Sequence, residues 1–114
     1  MAPMARLTSD FWVSAYLRQA AHDGLVAVLR RRGSPEAGAI FVKLDRLDGT
    51  AALYGPAPQS MAADDGVRRF QLILDSDPGS IEERVERERR FDSDLWLVEI
   101  ENRQGDPRLD LAAE

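Results

Sequence analysis

The feature that most constrains this chain is a tetrapeptide, Leu47-Asp48-Gly49-Thr50, lying between two apolar runs, GAIFVKL and AALYG. Asp-Gly in that setting is a strong hairpin signal, because the favoured two-residue turn needs positive φ at both central residues. The spacing predicts strands over 38–46 and 50–55. It also predicts a register: Leu47 opposite Thr50, Leu44 opposite Leu53, Lys43 opposite Tyr54 and Val42 opposite Gly55. A slip of one residue exchanges the faces of a strand. On this register Ile40, Val42, Leu44 and Leu53 point to a core, and Phe41, Lys43 and Tyr54 point away from it.

The remaining elements follow from periodicity and punctuation. Residues 8–23 read as a helix, with Thr8 or Ser9 at its cap and Asp10 at its positive end. Val13, Leu17, Ala20 and Ala21 recur at helical spacing, with Phe11, Trp12 and Tyr16 as core aromatics. Gly24 is placed as the left-handed residue that stops the helix. Residues 25–32 read as a strand, forming a first hairpin with 38–46, and 68–74 as a fourth strand. Asp77-Pro78 opens a second helix running to about residue 90, with Ser80 and Glu83 as a capping box. Ile81 and Val85 are its apolar contacts. Its other residues form pairs of opposite sign four apart (Glu83–Arg87, Arg84–Glu88 and Glu86–Arg90), so it reads as a solvated helix over one sheet edge. A last strand spans 95–102. The expected fold is therefore α+β: one domain over 1–114, in the order α-β-β-β-β-α-β, with a mainly antiparallel sheet and two helices. Residues 1–7 and 103–114 read as loosely ordered ends, and 56–67 as a long loop.

Three adjacent arginines, Arg30, Arg31 and Arg32, close the first strand. Pairing Arg31 with Ile40 and Leu29 with Val42 keeps Arg30 out of the core, where an unpartnered charge would cost several kcal/mol. Arg30, Arg32, Phe41, Lys43 and Tyr54 then gather on one face, with Arg30 above Phe41 as a cation–π pair. Basic residues over aromatic rings suit an anion, RNA, single-stranded DNA or an acidic protein surface. The competing reading is an ordinary solvated face whose arginine stems cover Val26 and Val28.

Composition removes several function classes. Cysteine is absent, so disulfides, thiolate metal sites and cysteine nucleophiles are excluded, and the single histidine, His22, excludes a multi-histidine site. The net charge of −5 argues against a dedicated nucleic-acid binder. The charge is uneven, with five cations against two acids over 30–46 and four arginines against eight acids over 82–101. No apolar run approaches the ~20 residues of a membrane helix, and MAPMARLTSD lacks the apolar core of a secretory signal. A cytoplasmic protein with no membrane partner is expected, with Met4 as an alternative start. His22-Asp23 has no nucleophile placed beside it. Asp92, Asp94, Glu99 and Glu101 offer carboxylates for a hard metal, but alternation turns the last two outward. No cofactor and no catalytic residue are assigned. The expected function is non-catalytic binding through the basic-aromatic face, with a homodimer through a free sheet edge as a further partner arrangement.

Two resemblances bear on this reading. The element order resembles the nuclease core of restriction enzymes and archaeal junction resolvases, which implies metal-dependent cleavage as the alternative. However, Ala37–Ile40 (AGAI) lacks the acid of that family's motif, and Ala52–Gly55 (ALYG) lacks its Glu-x-Lys. The stretches MARLTSDFWVSAYLR, RRRGSPEAGAIFVKLDRLDGTAALYGPAP and RRFDSDLWLVEIE resemble a bacterial family, domain of unknown function 1491, along nearly the whole chain from Met4. That resemblance implies a stand-alone bacterial protein and brings no activity, cofactor or site residue with it.

Overall fold

The computed structural model describes residues 7–58 and 66–112. Residues 1–6 and 113–114, expected to be loosely held, and 59–65 of the expected long loop lie outside the described residues. The elements follow the expected order: α1 (Ser9–His22), β1 (Val26–Arg31), β2 (Ile40–Asp45), β3 (Ala51–Pro56), β4 (Phe70–Ser76), α2 (Pro78–Phe91) and β5 (Trp96–Glu101). One five-stranded sheet is formed in the spatial order β1-β5-β2-β3-β4. All neighbours are antiparallel except β2 and β5, which run parallel.

The first hairpin expected from the sequence does not form, because β5 lies between β1 and β2. Burial explains the arrangement. Alternate residues of β1 are exposed, so it suits an edge, whereas Trp96, Leu97, Val98 and Ile100 of β5 are all buried and need neighbours on both sides. The 33–38 segment must then arch over the start of β5. Ser34 donates its backbone N–H to the Asp94 carbonyl at 2.9 Å, and Trp96 Nε1 donates to the Ser34 carbonyl at 2.7 Å. A Cβ on Gly33 would sit 2.1 Å from the Asp94 carbonyl oxygen, so only glycine permits this crossing.

The Asp48-Gly49 hairpin does form, one residue out of the expected register. Val42 faces Tyr54, Lys43 faces Leu53 and Leu44 faces Ala52. Leu47 joins the loop at φ 60°, held by its backbone N–H donating to Asp45 Oδ1 at 2.8 Å. Asp48 accepts from the Thr50 amide and hydroxyl, at 2.9 and 2.6 Å. The two aspartates stabilise a three-residue loop, and Leu53 and Tyr54 consequently exchange faces.

Each face of the sheet carries one helix. On the first, Val13, Tyr16 and Ala20 of α1 pack with Ile40, Val42, Leu44, Ala52, Tyr54, Phe70, Trp96, Val98 and Ile100. Trp12 stacks on Tyr16 with ring centroids 5.0 Å apart, and Tyr16 donates its hydroxyl to the Pro107 carbonyl at 2.6 Å. The helical stripe differs from expectation in three places: Ser9 is fully buried, Ala21 is exposed and Phe11 points to solvent. The first amides of α1 are satisfied by the carbonyls of Glu36 and Pro35 rather than by a Thr8 side chain. Gly24 follows the helix at φ 77°, as expected.

On the second face, Ile81 and Val85 of α2 pack with Phe41, Ala51, Leu53, Leu95 and Leu97. This helix therefore covers the face that the sequence pattern left open to water, instead of one sheet edge. Its cap is Asp77, which accepts from the Ser80 amide at 3.0 Å, and the Ser80–Glu83 box is not used. Residues 110–112 run beside β4, with Phe70 donating to the Asp110 carbonyl and Ala112 to that of Phe70, both at 2.9 Å. Among the described residues, β1 pairs its backbone only with β5, leaving its outer edge open.

Candidate functional site

The basic residues predicted to form a surface are divided by the fold. Lys43 is only 6 % exposed, held between β5 and α2. Its Nζ donates to Glu82 Oε2 at 2.7 Å and lies 3.8 Å from Glu99 Oε1. Arg30 reaches the same cluster from β1, donating through both terminal nitrogens to Glu82 at 2.7 Å and also to Glu99 at 3.0 Å. Two cations and two carboxylates thus neutralise one another between the sheet and α2. The Arg30 hydrogen bonds, aided by those from Lys43, pull the Glu82 carboxyl down to about 2, against the opposing effect of burial. In turn, hydrogen bonding to Glu82 raises the Arg30 guanidinium above its usual range.

Neither predicted aromatic residue is available to a ligand. Phe41 is 7 % exposed beneath α2, with its ring so close to Gly55 that a Cβ there would lie 2.8 Å from it. Tyr54 lies on the opposite face among the α1 cluster, where burial raises its hydroxyl pKa, an effect opposed by Arg46. The predicted Arg30–Phe41 stacking does not occur. The cation over a ring is instead Arg32, 5.3 Å from the centroid of Trp96. A bulge between Leu29 and Arg31 breaks strand alternation, so that Arg30 and Arg31 both turn toward α2 and Arg32 to the Trp96 side. Arg31 is anchored by an Nη2 bond of 2.6 Å to the Ser93 carbonyl.

That anchor brings the arginine end of β1 beside the C-terminal end of α2, a juxtaposition sequence reasoning missed. Glu86 is held below the usual carboxylate range chiefly by its bonds from Arg89, with Arg90 and Arg31 contributing through space. The expected Glu86–Arg90 pair is replaced by Glu86–Arg89, whereas Arg84–Glu88 forms as expected at 2.9 Å. Among the described residues, no carboxylate lies within ion-pair distance of Arg87 or Arg90. These two line a shallow groove with Glu82, Glu83 and Glu86, and the neighbouring Phe91 is 90 % exposed. The sequence signal was available, since Phe91 falls outside the stripe set by Ile81 and Val85.

The groups considered for chemistry have structural employment. His22 Nδ1 lies 3.4 Å from Asp23, itself held by Arg108 at 2.7 Å on an exposed surface. Asp92 accepts the Asp94 amide at 2.9 Å, and Glu99 is committed to Arg30. Among the described residues, no three histidines or carboxylates come together as a metal site, and no helix is long and apolar enough to cross a membrane.

The comparisons with known proteins agree with one another. A family model described as protein of unknown function (DUF1491) matches residues 7–110. The solution structure of a protein from A. tumefaciens is 43 % identical, covering 96 % of this chain and 97 % of its own, with a TM-score of 0.81. A crystal structure of a DUF1491 family protein from Caulobacter crescentus is 32 % identical, covering 94 % and 98 %, with a TM-score of 0.77. An NMR structure of a DUF1491 family protein from the same organism is 35 % identical, covering 97 % and 99 %, with a TM-score of 0.79. No curated protein matches.

Proposed function

The chain belongs to the DUF1491 family, and on that premise we propose that it acts as a non-catalytic interaction protein, meeting an acidic protein partner at the C-terminal end of α2. One observation carries this reading: Phe91 is 90 % exposed at the end of α2, next in sequence to Arg90 and two residues before Ser93, whose carbonyl anchors Arg31, with Arg87 one turn back. A phenyl ring in water contributes nothing to folding, and aromatic residues flanked by arginine are the side chains that dominate protein interfaces. Arg87 and Arg90 are available to a partner's carboxylates. The net charge of −5 and the nearby Glu83, Glu86 and Asp92 disfavour a long polyphosphate chain. A protein surface can place a few carboxylates between them. Of the five residues first considered, Arg30, Lys43, Phe41 and Tyr54 are used within the fold, and Arg32 lies over Trp96 on the other side of the sheet.

The test is a titration by fluorescence anisotropy with a glutamate-rich peptide, an RNA oligomer and single-stranded DNA, at low and moderate salt. The peptide should bind, weaken with salt, and lose at least about tenfold in affinity in the Arg87→Glu, Arg90→Glu variant and in Phe91→Ala. Equal binding by parent and variants would remove the corner. Preference for RNA or DNA, lost in the same variants, would overturn the partner class.

A further inference from the structure

We infer that the open edge of β1 is a self-pairing edge, taking a second copy of this chain in antiparallel register about a two-fold axis at Ala27. The inference is independent of the α2 corner and rests on three observations. First, β1 keeps its outer backbone groups unpaired along its whole length among the described residues, whereas residues 110–112 occupy the Phe70 end of the opposite edge strand, β4. Second, the straight part of β1 ends at the bulge after Leu29, and its outward valines are exposed, Val26 by 57 % and Val28 by 49 %. An axis at Ala27 sets Val26 of one copy opposite Val28 of the other, twice, and Leu25 opposite Leu29. Each apolar residue of the straight segment then meets an apolar residue on the same face, as antiparallel pairing requires.

Third, the charges along the edge are complementary under that rotation. Arg31 and Arg32 lie at one end of β1 with no carboxylate in ion-pair distance among the described residues. At the other end, Glu101 is registered beside Val26, and Asp45 is registered directly beside Glu101. Side by side in a sheet, two carboxylates repel, and among the described residues no cation pairs with either. The two-fold axis turns the Arg31 end of one copy toward the Glu101 end of the other. Any other even register sets a valine against Arg30 or shortens the ladder. Charged ends and a bulge are the usual protections of a free edge; here they leave a short apolar ladder and a charge pattern that admits an antiparallel copy.

The experiment measures mass against concentration by light scattering and sedimentation, on the full chain. A concentration-dependent dimer is expected, and Val26→Lys with Val28→Lys should weaken it at least about tenfold while circular dichroism stays unchanged, since both positions are exposed. Cysteine-free sequence makes the register directly testable. A mixture of Val26→Cys and Val28→Cys chains should oxidise to the mixed disulfide in preference to either homodisulfide. A monomer at all concentrations, a dimer indifferent to the lysines, or homodisulfides formed as readily as mixed ones would each overturn the proposal.

Discussion

The two faces of the sheet are held by different physics. Beneath α1 the contact is mainly apolar, with Trp96, Phe70, Val42 and Ile100 buried, and its polar contacts, Ser9 to Gly38 and Tyr16 to Pro107, are side-chain hydroxyls donating to backbone carbonyls. Beneath α2 the apolar cluster is smaller, and the helix is also fastened by Glu82, which joins Arg30 and Lys43 to it. Nondirectional burial tolerates small shifts, whereas a bidentate arginine–carboxylate pair fixes one geometry. The α1 face supplies most of the core, and the α2 face supplies a fixed seating for a helix with two buried apolar side chains.

The contrast is open to direct attack, beginning with the largest expected effect. Trp96→Ala should cost about 3–5 kcal/mol in chemical denaturation, from lost burial and the cavity left behind, because Trp96 is 1 % exposed and also bonds Ser34. Glu82→Ala should cost about 2–3 kcal/mol, below the range for a fully buried pair because the Glu82 side chain is 39 % exposed. Its loss leaves Lys43, with 8 % side-chain exposure, facing Glu99 alone at 3.8 Å. Replacing Glu82 by alanine and Lys43 by methionine together should recover part of that loss, and failure to recover would show that the network's charge is not what matters.

The acid limb gives a second handle on the same face. Glu82 has a folded value of about 2, below its ordinary 4.5. A depressed value means that its contribution is complete above about 4.5 and is lost as the pH falls toward 2. Stability measured across that window should fall less steeply for Glu82→Gln than for the parent. A smaller effect, about 1 kcal/mol, is expected for Asp77→Ala, which removes the cap of α2. Smallest of all, Phe91→Ala should change stability by no more than about 0.5 kcal/mol, which separates its proposed role in binding from any role in the fold.

The sequence made the elements legible and left their neighbours unread. Both helices and all five strands were recoverable from periodicity and from Gly24, Asp48-Gly49 and Asp77-Pro78, because those signals are local. The register slip had a local cause as well, since Asp45 and Asp48 each cap an amide two residues on, and the spacing of those aspartates was a readable alternative to a two-residue turn. The placement of β5 between β1 and β2 is a competition among distant segments, and only the nearly continuous burial of β5 hints at it. For the candidate surface, Arg30 and Lys43 were correctly read as sharing a side of the sheet. Their carboxylate partner Glu82, distant along the chain, was not, because the solvated-helix reading placed α2 over a sheet edge rather than against this face.

The position of β5 also constrains how the chain can reach its native state. The strand that joins β1 to the rest of the sheet comes from residues 96–101, far along the sequence from both of its neighbours. During synthesis β1 has no strand partner until that segment has left the ribosome, so both the parallel ladder and the β1 pairing must await it. Long-range closure of this kind slows folding, and it makes residues 96–101 decisive for whether β1 is held in the sheet.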